Sequence, residues 1–290
     1  MVNNSSKNVL NFYIDTNKNK EIEIDEHLDR NYSVAEKTIM LCLNELLVDE
    51  DCTNKIRYLF LSSLSSSLSC LTKKEEYKSF LNSYIFIPNN INDKETYNNY
   101  LLLREKIRQG HIYWGASGKR LESILEHIYG CIALIIGIES EFSYKLDYDK
   151  IIKMLLLHET EEIIIGDLTE WDISKEEKEE IGKNAVKKIL NQRKKLIDLI
   201  DEFNAKSTIE SKYANLCDKL EYDMQVKVYE LEGRYDFNNY PNNVVTQSDR
   251  VKTIIDAGAK SVFDVHYEYD KSRYSSVPCM KMILEETKKL

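Results

Sequence analysis

Proline and glycine are scarce, with 3 and 9 respectively in 290 residues. So few breakers argue against many short strands and favour long helices. Cysteine is limited to Cys42, Cys52, Cys70, Cys131, Cys217 and Cys279, and no two make a CxxC pair. Several lie in apolar stretches with helical spacing, so reduced core thiols and a cytoplasmic setting are expected. A long basic run is missing, and the net charge is −9 with a pI of about 5.3. That argues against duplex nucleic acid as a partner. No apolar run approaches the length of a membrane span, so no membrane partner is expected. The first residues lack a basic region followed by a long apolar segment, so no signal peptide is expected either.

Helix starts are frequent instead. Ser33 with Glu36, Thr72 with Glu75, Ser174 with Glu177 and Ser207 with Glu210 each put a hydroxyl three residues ahead of a glutamate. That spacing can satisfy the open amides at a helix entrance. Asp147 is a further cap candidate. The resulting helices span about 33–48, 54–71, 73–86, 97–109, 121–140, 148–164, 174–203 and 207–232, with two more near 248–263 and 278–289. The serine-rich "SSLSSSLSC" at 62–70 keeps leucines at helical spacing, so it reads as helix rather than linker. "VLNFYI" and "EIEI", before residue 25, read as a short β-hairpin. The Asn-rich, Pro88-containing stretch 86–99 marks a boundary. It separates an N-terminal helical segment, 1–90, from a larger all-α unit, 91–290. Nothing in 1–90 chooses between packing on the larger unit, dimerising and binding a partner.

Three helices carry polar groups beside apolar stripes. In "LESILEHIYGCIALIIGI", 121–138, His127 follows Glu126 next to a buried stripe; taken alone it reads as a helix histidine with a local hydrogen bond. In "LLLHETEEIIIGD", 155–167, His158 and Glu159 follow a full turn of leucines. Glu162 lies four residues after His158 and shares its face. Gly166 can end the helix ahead of Asp167. A solvated acidic face is the plain reading, but carboxylates next to leucines would be costly to bury unpaired. A metal would offset that cost. A zinc-protease helix needs a second histidine at position 162, which is glutamate. In "SKYANLCDKLEYDMQVKVYE", 211–230, Asp218 sits mid-helix, where Lys219 or Lys212 could pair with it. Together, two imidazoles and two carboxylates on three helices suit a divalent first-row metal inside a bundle.

"LEHIYG", "LLLHETEEIIIGD" and "LCDKLEYDMQVKVYE", with "RQGHIYW" ahead of them, resemble the HD-domain phosphohydrolases, and most closely their 5′-deoxynucleotidase branch. The likeness covers about residues 100–232 and departs from the family at Glu159, where members carry aspartate. His111 stands where members carry a loop tryptophan. The resemblance implies an HD-type helical bundle with the N-terminal segment added. It implies that His127, His158, Glu159 and Asp218 hold one divalent metal ion (Mn, Co, Fe, Zn or Mg). It makes Glu162 and Asp167 catalytic, with Asp167 also reading the sugar. Arg108, Lys119 and Arg120 become candidate phosphate contacts and His111 a candidate base contact. The implied function is phosphate release from (deoxy)nucleoside 5′-monophosphates, and a homodimer is expected. Triphosphates, cyclic nucleotides or alarmones are alternative substrates, and a catalytically degenerate nucleotide-binding module is a further alternative.

Overall fold

The computed structural model describes residues 2–21, 32–118, 120–169, 171–191 and 193–290. Among the described residues there are fifteen α-helices and no strand. The first six are α1 (Val2–Thr16), α2 (Val34–Val48), α3 (Thr53–Ser63), α4 (Lys74–Ser83), α5 (Lys94–Leu101) and α6 (Gln109–Tyr113). Then come α7 (Ile124–Glu141), α8 (Tyr148–Leu157), α9 (Glu162–Ile165), α10 (Lys175–Leu190) and α11 (Lys194–Ala205). The last four are α12 (Ile209–Leu231), α13 (Asp249–Asp256), α14 (Val262–Asp270) and α15 (Pro278–Thr287). Among the described residues no helix is long and apolar enough to cross a membrane.

Helix α7 organises the rest. Ser123 caps it by accepting the Glu126 N–H, and the Glu126 carboxylate returns to the Ser123 N–H at 2.7 Å. The run that follows is apolar on nearly every face and almost wholly buried. A helix of that kind must be surrounded. Accordingly, α1, α2, α8 and α12 all pack on it. Helix α12, the longest, also meets α8, α11, α14 and α15. All six cysteines are free thiols.

The all-α expectation is borne out, but several boundaries shift for identifiable reasons. "VLNFYI" is helical and lies within α1, because Val9, Phe12, Tyr13 and Thr16 recur at helical spacing and are buried together. Most of "EIEI" lies outside the described residues, as does Lys119. The helix expected over 54–71 ends at Ser63, whose hydroxyl donates to the Phe60 carbonyl, a local bond that competes with helix continuation. The one expected over 97–109 stops at Leu101; Ile107 instead bridges Ser123, and the Lys106 carbonyl accepts the Ile124 N–H. The expected 174–203 helix is two helices, with Asn191 at φ 51° in the break. Gly258, at φ 105°, divides the region expected as 248–263. Thr72 does not cap α4, since its hydroxyl donates to Glu141, and Thr208 rather than Ser207 caps α12.

Ser123→Ala should test the α7 start. It removes the cap acceptor and also the hydroxyl that donates to Glu36 at 2.8 Å in the core. A loss of about 1–3 kcal/mol is expected in urea unfolding.

Candidate metal centre

The α7 cap turns His127 inward one turn into that helix, where it is fully buried. Its Nδ1 lies 2.5 Å from Glu221 Oε2, and its Nε2 lies 3.1 Å from Asp218 Oδ1 and 3.5 Å from Glu159 Oε1. Helix α8 ends at Leu157, earlier than the expected 164. Thr160 stops it: its N–H and its hydroxyl both bond the Leu157 carbonyl, and Tyr100 reaches the same hydroxyl at 2.7 Å. The turn that results aims His158 and Glu159 at the same centre. His158 Nδ1–H donates to the Leu155 carbonyl at 2.7 Å, which turns Nε2 inward. That Nε2 is buried without a hydrogen-bond partner, 3.2 Å from Glu159 Oε1 and 3.9 Å from Asp218 Oδ1.

These separations fit one small cation. Four ligands about 2.1 Å from a tetrahedral centre lie about 3.4 Å from one another. The measured spacings bracket that value, and the orphaned imidazole nitrogen points where an ion would sit. Cys131 adds a sulfur 3.5 Å from His127 Nε2, and its Sγ groups with ligand atoms of His127, His158 and Asp218.

Charge in the pocket is partly offset by Arg108, also buried, which reaches Glu159 Oε1 at 2.6 Å and Asp218 Oδ1 at 3.2 Å. Lys219 holds the other Asp218 oxygen at 2.9 Å, so the pairing expected for that helix exists alongside the inward one. Burial opposes ionisation of Glu159, but His158 and Arg108 outweigh it and hold its carboxyl well below the usual range. Asp218 is held low against burial by Lys219, the His127 hydrogen bond and Arg108. Burial and Arg108 disfavour imidazolium at His127, yet Glu221 and Asp218 carry its pKa up to about 9; a bound cation would replace that proton. At Glu162, burial and then the Glu159 and Asp167 charges push the carboxyl well above its ordinary value. Its Oε2 has no hydrogen-bond partner.

Glu162 opens α9 and, with Arg108, His158, Glu159, Asp167 and Asp218, lines a cleft of about 1080 Å³. Asp167 follows Gly166, whose φ of 75° ends α9, and its Oδ2 accepts the Gln109 N–H at 2.7 Å. Two expected contacts lie elsewhere. His111 is fully buried between Tyr222 and Tyr229 and bonds the Tyr235 hydroxyl, which leaves no ring face for a base. Arg120 pairs with Glu126 at 2.6 Å, away from the cleft. Trp114 does reach the cleft wall.

Cys131 and Glu221 were absent from the sequence-based site. Each had a usable signal: Cys131 lies four residues after His127, and Glu221 three after Asp218, on the same helical faces.

Residues 102–260 match the HD domain family. The human (Homo sapiens) 5′-deoxynucleotidase HDDC2 is 30% identical over 134 residues, which cover 44% of this chain and 63% of that protein. The protein of the same name from Dictyostelium discoideum is 33% identical over 129 residues, covering 40% of this chain and 68% of that one. Residues 1–101 thus precede the family match, and through residues 102–260, more than half of its length, the chain belongs to the HD-domain family.

Proposed function

We propose that this protein is a metal-dependent phosphohydrolase that releases phosphate from deoxynucleoside 5′-monophosphates. The observation that carries this reading is the convergence of His127, His158, Glu159 and Asp218 around one point, with the buried His158 Nε2 lacking a hydrogen-bond partner there. The names of the human and Dictyostelium relatives support the substrate class. The four residues would hold one divalent ion (Mn, Co, Fe, Zn or Mg). Bound there, it would supply Lewis acidity and lower the pKa of a water.

The remaining roles belong to the chain's own groups. Glu162 keeps an unpartnered oxygen at the cleft end where the phosphate is read to react, suited to orient a water or pass a proton. Arg108 offers a planar N–H fork to phosphate oxygens while neutralising Glu159 and Asp218. Asp167, fixed through Oδ2, has Oδ1 for a sugar hydroxyl. Lys119 is retained as a phosphate contact on its charge alone. Residues 91–290 are taken as the phosphohydrolase unit and 1–90 as an added helical segment. A cytoplasmic homodimer is expected, and light scattering on purified protein checks the assembly.

One observation favours a second substrate reading. The cleft lining includes Lys178, Lys206, Lys219 and Arg273 as well as Arg108, cations that suit a longer polyanion such as a nucleoside triphosphate.

Phosphate release should be measured over a panel of deoxynucleoside monophosphates, triphosphates, cyclic nucleotides and alarmones with Mn, Co or Mg added. Turnover of monophosphates is expected. Folded protein inert towards the whole panel would mark a binding module instead. His158→Ala should remove bound metal and activity together, as elemental analysis and the same assay would report. Glu162→Gln should keep the metal and lower kcat by about 10²–10⁴-fold.

A further inference from the structure

Two of the groups behind His127, Tyr13 and Lys20, come from outside the family match. Glu221 Oε2 takes the His127 Nδ1, while its Oε1 accepts from the Tyr13 hydroxyl at 2.7 Å and from Lys20 Nζ at 2.8 Å. Lys20 also reaches Glu122 Oε2 at 2.7 Å and Gln225 Oε1 at 2.9 Å. Its ammonium therefore spends all three protons on three buried acceptors. Its side chain is only 7% exposed. Burying an ammonium this deeply is favourable only when it is so paired.

Room for this arrangement is built into α7. Gly130 lies one turn beyond His127, and a Cβ there would stand 2.2 Å from Glu221 Oε1. Glycine in a helix interior costs about 1 kcal/mol against alanine, and the approach of this carboxylate requires it. Both oxygens of Glu221 are thereby fixed, one towards the imidazole and one towards the segment formed by α1 and the turn after it.

We propose that Tyr13 and Lys20 are positioning residues that clamp Glu221 against His127, so that the segment ahead of the HD domain sets how this imidazole presents its other nitrogen to the cation. The inference rests on the metal site proposed above. Outer partners of a ligating histidine fix its ring and its tautomer, and their removal typically weakens metal binding about 10–100-fold.

The test titrates Co²⁺ into the metal-free full-length protein, following the visible absorption of the ion, with thermal unfolding of each metal-free variant measured in parallel. Tyr13→Phe loses one hydroxyl and keeps the packing; Lys20→Met removes the cation. Each should weaken Co²⁺ binding about tenfold and alter the shape of the Co²⁺ spectrum. Asn8→Ala is the control. It sits on the same helix α1 but bonds Glu141 at the far end of α7, and should bind Co²⁺ like the parent. Parent-like affinity and spectra in both Tyr13→Phe and Lys20→Met would overturn the inference, as would equal weakening by Asn8→Ala. Should Lys20→Met fail to fold, Tyr13→Phe decides. A parent protein that binds no Co²⁺ would instead overturn the metal site itself.

Discussion

A carboxylate inside a protein is tolerated only against a positive charge or a set of donors. Here Glu122, Glu159, Asp218 and Glu221 are all buried around the start of α7 and the middle of α12. Two buried cations answer them: Arg108 spans Glu159 and Asp218, and Lys20 spans Glu122 and Glu221. His127 stands between the two groups, touching Glu221 with one nitrogen and Asp218 with the other. The arrangement leaves more negative than fixed positive charge beside two imidazoles, the electrostatic condition that a small divalent ion meets. The choice of helix ends, the turn after α8 and the glycine in α7 all follow from bringing these groups to one place.

Much of this centre was legible from the chain, because the informative residues are local in sequence. Histidine and glutamate after a run of leucines, aspartate in mid-helix and glutamate at the fourth position beyond a histidine are visible without coordinates. Their convergence followed from likeness to HD-domain proteins rather than from periodicity. The outer groups were not legible. Tyr13 lies 208 residues from Glu221, and no pattern along the chain links them. His111 was misplaced because a loop histidine and a core histidine look alike in sequence; the three tyrosines that enclose it come from residues 222–235. Helix lengths were overestimated at Ser63 and Thr160, where a hydroxyl offered the backbone a competing bond. Those residues are weak breakers one at a time, and tertiary contacts decide which of them act.

The region ahead of the family match is not peripheral in its packing. Helices α1 and α2 cover faces of α7 that would otherwise expose isoleucine and leucine. Glu36 of α2 accepts from the Ser123 hydroxyl, so the cap that orients His127 is itself braced by this segment. Apolar cover and polar bracing reach the same helix from the same part of the chain.

The contact between Tyr13 and Glu221 has a consequence for biosynthesis. At about 5–20 residues per second, a ribosome needs on the order of ten to forty seconds to travel from one to the other. During that interval α1 has emerged with its eventual neighbours on α12 unmade. Native topology of such long sequence separation folds slowly and late. The pocket around His127 and Asp218 can therefore close only after translation has passed residue 221.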